Sequence, residues 1–272
     1  MDDVEYAPGL SFALHLPPNP APASSKPLLC WVHGGAWRSE SKDDHRQTAA
    51  RIAHATNCAV ALPDYRLSTQ HNSLHHPAHA QDVLNFLHFI LVPANLPAHL
   101  ASTYDPSKIY LIGHSCSAHM LASIYLAPAP PLVPVLAPSP ALLRATKALL
   151  LTEGIYDLDL LLRSFPSYKP WFVANAFGDL PSYAHVNVAT FTLRDLSHHL
   201  RWLIVHDQND PLVDTVQSRS FHDHLAALYS AISREENVRL DLDRLTVKGH
   251  NEIFAEDAYI ELVAQFVANK VA

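Results

Sequence analysis

Short apolar runs alternate with longer amphipathic stretches along most of this chain of 272 residues. The short runs are rich in Leu, Ile and Val, and several lack the polar alternation of a half-exposed strand. Such runs are typical of parallel strands that are covered on both faces. Strands are predicted at residues 28–33, 59–63, 109–113, 148–152, 202–206 and 238–242, with another around 12–16 at the sheet edge, and helices at 43–56, 77–90, 117–126, 213–230 and 252–269. This order predicts an α/β fold with a mostly parallel central sheet flanked by helices.

Two stretches interrupt the alternation. Residues 127–140 are rich in Pro, Ala and Leu and are interpreted as an ordered loop. Residues 155–200 carry many aromatic side chains and are too long for a simple connection. We predict a single domain over residues 1–272, with 155–200 inserted as a cap over the sheet.

Composition limits the classes of function. The net charge of −7, with no cluster of Lys and Arg, argues against a nucleic-acid partner. Three scattered cysteines form neither a disulfide framework nor a paired zinc motif, which fits a reducing compartment. The acidic N-terminus lacks an apolar signal core, and no apolar run approaches the roughly 20 residues that span a bilayer. We therefore expect a soluble cytosolic protein with no membrane partner.

The candidate nucleophile is Ser115. Residues 109–118 place a strand before the turn Gly113-His114-Ser115-Cys116-Ser117 and a helix after it. In this context the pattern G-x-S-x-G forms a nucleophile elbow, which lifts the serine hydroxyl above the sheet. Ser117 departs from the pattern, although serine is still small. Two alternatives remain: a serine that only caps the helix, and Cys116 as the nucleophile.

The candidate oxyanion hole follows the first buried strand, at His33-Gly34-Gly35-Ala36-Trp37. Small residues at a strand end leave backbone N–H groups exposed toward a substrate, so we assign Gly35 and Ala36 as donors. Cys116, which directly follows the elbow serine, is assigned as the third donor. Such donors stabilise the negative charge of a tetrahedral intermediate. An ordinary Gly-Gly turn is the alternative. The combination with a later elbow matches the arrangement of lipases and esterases.

An acid and a base follow in the expected order of Ser, Asp, His. Asp207 and Asp210 both lie after the strand predicted at 202–206, and we prefer Asp210 because more loop carries it clear of the strand. His250 follows Gly249 in a later strand-to-helix loop. The carboxyl ends of parallel strands form one rim, so Ser115, Asp210 and His250 can converge there.

A group of histidines at 71, 75, 76 and 79 suggests a metal site at first sight. Pro77 interrupts the spacing of His75 and His79, and no carboxylate or cysteine pattern completes a ligand set. We predict no metal and no organic cofactor.

With these residues assigned, the chain resembles kynurenine formamidases (arylformamidases), especially fungal ones, and more broadly the hormone-sensitive-lipase group of esterases, all with the α/β-hydrolase fold. The resemblance is carried by His33 to Trp37, Asp64-Tyr65-Arg66-Leu67, Gly113-His114-Ser115, Gly154-Ile155-Tyr156-Asp157-Leu158, Asp210-Pro211-Leu212-Val213 and Gly249-His250. It implies Ser115 as nucleophile, Asp210 as acid and His250 as base. The implied reaction is hydrolysis of N-formyl-L-kynurenine to L-kynurenine and formate in tryptophan catabolism. The chain departs from the family at Ser117 and in a His-rich insertion after residues 64–67.

Two other functions stay open. One is a carboxylesterase acting on small aryl or acyl esters with the same machinery. The other is a hydrolase-fold binding protein without catalysis, which should lack at least one of the three assigned residues. The expected partner is a small-molecule substrate, and a homodimer is left open.

Overall fold

Eight strands form one twisted sheet in a computed structural model that describes residues 2–18, 26–72, 74–131, 134–247 and 249–268. Within these residues the strands are β1 (Asp2–Ala7), β2 (Leu10–His15), β3 (Leu28–Val32), β4 (Ala59–Pro63), β5 (Ile109–His114), β6 (Leu126–Ala127), β7 (Thr146–Thr152), β8 (Thr192–Leu193), β9 (Arg201–Val205) and β10 (Val238–Asp241). The order in the large sheet is β1-β2-β4-β3-β5-β7-β9-β10, and a separate pair joins β6 to β8. In this order, every pair of neighbouring strands from β4 to β10 is parallel. The pairs β1–β2 and β2–β4 are antiparallel. The predicted fold class is confirmed.

Helices cover both faces of this sheet. They are α1 (Arg46–Thr56), α2 (Ala78–Ile90), α3 (Cys116–Tyr125), α4 (Pro140–Ala145), α5 (Leu158–Ser164), α6 (Ala174–Phe177), α7 (Thr215–Ser230) and α8 (Asp257–Val267). Alternate residues of β3 point to opposite sides: Cys30 joins a core with α2, α3 and α7, and Trp31 joins a second core with α1 and α8. Because both faces are buried, the inner strands need no polar alternation.

Several predicted boundaries were wrong. The strand expected at the sheet edge is β2, and β1 lies outside it as the true edge strand. The first predicted helix opens with a 3₁₀ turn, Lys42–His45, before α1 begins. The last predicted helix is interrupted at Glu256, whose extended backbone separates the turn Glu252–Ala255 from α8. Residue 269, its predicted end, lies outside the described residues.

Residues 155–200 fold into short pieces instead of one long element. They contain α5, α6 and β8, a π-helical turn at Lys169–Val173 and two 3₁₀ turns. Much of this segment belongs to the core under α7, while Trp171 is 48% exposed. Its role as a cap stays a prediction. Among the described residues, no helix is both long enough and apolar enough to cross a bilayer.

Candidate active site

Ser115 occupies a strained turn between β5 and α3. Its backbone adopts φ 56° and ψ −122°, a conformation that side-chain-bearing residues rarely adopt. The turn is tied to the neighbouring strand, since the Ser115 N–H donates to the Thr152 carbonyl oxygen at 2.9 Å. A Cβ at Gly113 would lie 2.8 Å from a methyl carbon of Leu121 and 3.2 Å from the backbone N of Ala118, so α3 packs tightly against this position. The elbow predicted from the sequence is therefore built as a strand, a tight turn and a closely packed helix.

Ser117 occupies the position of the last glycine in the G-x-S-x-G pattern, and its hydroxyl forms hydrogen bonds with the backbone. The oxygen accepts the His114 N–H at 2.7 Å. It also lies 2.7 Å from the Val32 carbonyl oxygen and 2.9 Å from that of His114, either of which can receive its proton. Serine at this position therefore links β3 to the elbow with a fully buried polar side chain.

The loop after β3 has three successive residues in the left-handed region: Gly35 at φ 88°, Ala36 at 52° and Trp37 at 59°. A side chain at Gly35 would overlap the carbonyl oxygen of Ser39. The Trp37 N–H donates to the Cys116 Sγ at 3.3 Å, which holds the loop against the start of α3. Gly35 and Ala36 line the same cavity as Ser115.

Cys116 points away from that cavity. Its thiol is fully buried and also lies 3.7 Å from the Tyr65 hydroxyl. Burial raises the pKa of the thiol to about 12, which removes the thiolate needed for nucleophilic attack. The geometry leaves Cys116 only its backbone N–H as a contribution to the cavity.

Close packing fixes the other three residues of this loop, His33, Gly34 and Trp37. His33 is buried and stacks on Tyr65 at 4.3 Å, and burial lowers the pKa of its imidazole to about 4. A Cβ at Gly34 would approach His114 Nδ1 to 2.9 Å, so the loop can lie against the elbow only with glycine there. The Trp37 ring is fully buried among aromatic side chains, including Phe177 at 4.9 Å.

Asp210 is the carboxylate in contact with His250. Its Oδ2 lies 2.7 Å from His250 Nδ1, and its Oδ1 accepts the N–H groups of Leu212 and Val213. Burial opposes ionisation, but hydrogen bonds with His206 and His250 outweigh it and hold the pKa of Asp210 well below its usual range. Asp210 is therefore charged at neutral pH.

Asp207 instead closes the turn after β9. Its Oδ1 accepts the backbone N–H of Asn209 at 2.8 Å and the side-chain amide of the same residue at 3.1 Å. It forms no hydrogen bond with His250.

Ser115 and His250 face the same cavity of about 360 Å³, within the size range of small-molecule sites. Since Asp210 holds Nδ1, the imidazole has Nε2 left for the cavity. No hydrogen bond joins the Ser115 hydroxyl to His250 in the described part of the chain, and such bonds commonly tighten only when substrate binds. Tyr168, Trp171 and Phe172 also line this cavity.

Arg38 also lines the cavity. Its guanidinium donates to the Trp171 carbonyl oxygen at 2.8 Å. Within the described residues, no carboxylate forms an ion pair with Arg38. Its guanidinium is therefore available to bind an anionic group of a ligand.

Glu153 is a site residue that the sequence analysis missed. It directly follows β7, is 0% exposed, and its Oε2 lies 3.3 Å from His250 Nδ1 and 3.2 Å from His114 Nε2. Burial, together with the negative charges of Asp210 and Asp207, raises the pKa of this carboxyl to about 10. Its place at the end of an apolar run was visible in the sequence, but its burial depends on the tertiary packing.

The histidines near residue 75 do not gather into a ligand set within the described residues. His79 Nε2 hydrogen-bonds to the Ser68 hydroxyl at 2.8 Å, and His76 stacks on Phe177. His114, Glu153 and His250 do lie close enough to share a metal ion. However, His250 Nδ1 is held by Asp210, and His114 Nε2 by the His250 carbonyl oxygen.

The family comparison agrees with this architecture. A family model described as the alpha/beta hydrolase fold matches residues 29–231, which is most of the chain. The chain belongs to the α/β-hydrolase fold family.

Curated relatives of this α/β hydrolase carry one common name. It is similar to the kynurenine formamidase of Meyerozyma guilliermondii, with 26% identity over 73% of this chain and 71% of the relative. The kynurenine formamidase of Eremothecium gossypii is 31% identical over 59% of this chain and 64% of its own length. That of Scheffersomyces stipitis is 26% identical over 74% and 79%. The resemblance to fungal kynurenine formamidases is confirmed.

Solved structures with this α/β-hydrolase architecture include two esterases. Esterase 2 of Thermogutta terrifontis, phosphonylated by sarin, has a TM-score of 0.69 and 16% identity, with 98% of this chain and 94% of that chain covered. The Pyrobaculum calidifontis esterase has a TM-score of 0.63 and 18% identity over 96% and 80%. At these identities the likeness concerns the fold alone.

Proposed function

We propose that this α/β hydrolase converts N-formyl-L-kynurenine and water into L-kynurenine and formate, a step of tryptophan catabolism, through Ser115, His250 and Asp210. The observation that carries the proposal is the single cavity that pairs Ser115 and His250 with aromatic rings. An aryl substrate can stack on such rings while its formyl group lies at the serine. The similarity to proteins named kynurenine formamidase supports a formamide as the reacting group.

In the first step, Ser115 Oγ forms a bond to the formyl carbon while His250 Nε2 takes the hydroxyl proton. Asp210, held at 2.7 Å from Nδ1, keeps the imidazole in the tautomer that accepts at Nε2 and stabilises the imidazolium that forms. The C–N bond then breaks, and His250 returns the proton to the departing aryl amine. The products of this step are L-kynurenine and a formyl ester on Ser115.

In the second step, a water molecule attacks the formyl ester. His250 takes a proton from the water and gives it to the Ser115 oxygen as formate leaves. Both steps use only water and groups of the protein, with no metal or organic cofactor.

Each tetrahedral intermediate carries a negative charge on the former carbonyl oxygen. We assign its stabilisation to the N–H groups of Gly35, Ala36 and Cys116, which border the cavity or the elbow. Fixed backbone donors of this kind require no reorganisation as the charge develops. The contact between the Trp37 N–H and Cys116 Sγ preserves their arrangement.

The amino-acid portion of the substrate carries a carboxylate, and we assign its recognition to Arg38. Among the described residues that line the cavity, Arg38 alone has a permanent positive charge. A guanidinium can bind a carboxylate through two parallel hydrogen bonds. This contact would favour an amino-acid formamide over a neutral aryl ester.

A carboxylesterase acting on small aryl or acyl esters is the second candidate. The same serine, imidazole and aromatic side chains would serve an ester, and Ile155, Leu212 and Val213 add apolar lining to the cavity. A binding protein without catalysis is the third candidate, and it is disfavoured because each assigned residue is present with its neighbours in place.

The experiment is hydrolysis of N-formyl-L-kynurenine by the purified protein, compared with p-nitrophenyl acetate, in the wild type and in Ser115→Ala. We expect a higher kcat/KM for the formamide and loss of turnover in the variant with the fold intact. An ester preference of several orders of magnitude would replace the formamidase proposal by the esterase. Failure of a fluorophosphonate to label Ser115 in the folded protein would contradict serine catalysis.

A further inference from the structure

Glu153 brings a second carboxyl group to the nitrogen that Asp210 already holds. The two acids come from neighbouring strand ends: Glu153 follows β7, and Asp210 lies in the loop after β9. Asp210 Oδ2 is 2.7 Å from His250 Nδ1, and Glu153 Oε2 is 3.3 Å from the same atom. Both carboxyl side chains are almost completely buried, at 1% and 0% exposed. Two negative charges this close in a buried site repel strongly, so one carboxyl is expected to keep its proton.

The hydrogen-bond donors decide which carboxyl is charged. Asp210 receives the N–H groups of Leu212 and Val213 in addition to His250, so its charge is well compensated. Glu153 has a weaker set, in which the Asp207 backbone N–H favours the charged form but is outweighed by burial and by the nearby acids. Its Oε1 has no hydrogen bond of ordinary geometry within the described residues.

The two N–H groups near Glu153 Oε2 also have closer acceptors. His250 Nδ1 is nearer to Asp210, and His114 Nε2 lies 3.0 Å from the His250 carbonyl oxygen against 3.2 Å from Glu153. A carbonyl oxygen can only accept, so His114 Nε2 carries its hydrogen and donates to the His250 backbone. An ionised Glu153 would thus be a buried anion with fewer donors than Asp210, because only the Asp207 backbone N–H favours its charge without a closer acceptor nearby.

We propose that Glu153 is a positioning residue for His250, held as an uncharged carboxylic acid beside the charged Asp210. The inference rests on the proposed serine mechanism and deepens it. His114 and Glu153 lie behind the imidazole, where their packing fixes the ring and its backbone. Because Glu153 is neutral, a single charge faces the imidazolium. A second charge would raise the pKa of the base and leave less of it unprotonated at neutral pH.

The test must account for every titratable group near this carboxyl. These groups are His114 on β5, His206, Asp207 and Asp210 after β9, His250 and Glu252 before α8, and Tyr259 on α8. Asp210 is the one whose charge faces His250 directly. It therefore provides the comparison for what loss of a true charge does.

The experiment measures the rate of fluorophosphonate inactivation against pH in the wild type, Glu153→Gln, Glu153→Ala and Asp210→Asn. This rate depends on Ser115 and its base whichever substrate is natural. We expect Glu153→Ala to react about tenfold to a hundredfold more slowly, because the imidazole loses its support. Glu153→Gln should recover much of that rate, since the amide matches the shape of an uncharged acid. The pH midpoint of its acid limb should stay within about 0.3 of the wild type, whereas Asp210→Asn should lower it by about one unit or more.

A drop of the Glu153→Gln midpoint by about one unit would mean that a charge had been removed, and would overturn the proposal. A wild-type rate in folded Glu153→Ala would overturn the positioning role. Infrared difference spectroscopy gives an answer independent of activity: the carbonyl band of a protonated carboxylic acid should be present in the wild type at neutral pH and lost in Glu153→Gln. Absence of that band would overturn the uncharged state. If the wild type fails to react with the fluorophosphonate, the serine mechanism fails, while the infrared band still decides the state of Glu153.

Discussion

The hydroxyl oxygen of Ser117 lies 2.7 Å from the carbonyl oxygen of Val32, so the helix after the elbow is joined to the strand that precedes the oxyanion loop. The same hydroxyl accepts the backbone N–H of His114. Two segments whose contacting residues are 85 apart in the chain are thereby held together around Ser115. The position requires a small side chain, and serine adds a polar link that glycine cannot form.

Ser117→Ala should therefore destabilise the protein. The methyl group fits, but the buried Val32 carbonyl and His114 N–H lose their partner, and an unsatisfied buried group costs about 1–3 kcal/mol. The free energy of unfolding in urea measures this loss. Ser123→Ala is the matched control, because that buried hydroxyl of α3 donates to the His119 carbonyl oxygen of its own helix. An equal or larger loss in the control would contradict the linking role of Ser117.

The choice of acid is tested by two matched substitutions. Asp210→Asn should lower kcat by about four orders of magnitude, because the amide favours the wrong imidazole tautomer. Asp207→Asn should lower it much less, since Asp207 bonds to Asn209 and not to His250. Steady-state kinetics of both variants, with circular dichroism to verify folding, decide the matter. The reverse order of effects would transfer the role of acid to Asp207.

Recognition of a substrate carboxylate is tested by Arg38→Met. The variant keeps much of the side-chain volume but loses the guanidinium, so KM for N-formyl-L-kynurenine should rise about tenfold to a hundredfold. Formanilide has the same reacting group without a carboxylate, and its kcat/KM should fall far less. The ratio of kcat/KM for the two substrates is the measurement. A parallel loss on both substrates would show that Arg38 acts through its contact with Trp171 and not on the carboxylate.

Buried histidines predict a loss of stability in acid. Burial lowers the pKa of His33 and His119 to about 4 and that of His79 to about 3. Burial also holds the pKa of His76 and His114 well below the usual value. The unfolded chain takes up these protons near pH 6.5, so it binds more protons than the folded chain below that pH. The free energy of unfolding should therefore be fully present above pH 6.5 and fall toward pH 4, by at most about 1.4 kcal/mol per pH unit for each histidine.

His76→Phe tests the contribution of one member. Neither ring nitrogen of His76 has a partner among the described residues, and the ring stacks on Phe177, so phenylalanine keeps the packing. Relative to the wild type, the variant should gain about 2 kcal/mol between pH 7 and pH 5, because it has no proton to take up on unfolding. Urea unfolding at both pH values measures this gain. His54→Phe, at an exposed position on α1, should show no such gain, and equal behaviour of the two variants would contradict the prediction.

Local pattern was sufficient for the parts of the fold that are covered on both faces. The five inner parallel strands, β3, β4, β5, β7 and β9, are all present within one or two residues of their predicted bounds, since a continuous apolar run such as 148–151 has few other uses. The sixth predicted strand, 238–242, is also present, as the edge strand β10. β1 was missed because its residues 2, 3 and 5 are acidic, as an edge strand allows. The interruption at Glu256 was missed because nothing in the helical periodicity of 252–269 marks it.

The site was predictable to the extent that strand ends share one rim. Order along the chain and neighbouring glycines predict Ser115 and His250, while loop length and the family resemblance favour Asp210; the structure brings His250 to Asp210 and to the cavity of Ser115. Glu153 could not be found in this way. Its significance comes from desolvation and from two neighbouring acids, which depend on the packing of β7 against β9.

All three cysteines are buried, and burial raises the pKa of each thiol. Alkylating reagents attack the thiolate, so the cysteines of the native protein should not react with them at neutral pH. Cys30 lies in the middle of β3, Cys58 just before β4, and Cys116 under the oxyanion loop. The rate at which each cysteine is modified would then report the rate of local unfolding around it. The three cysteines thus give three probes of local unfolding without any added label.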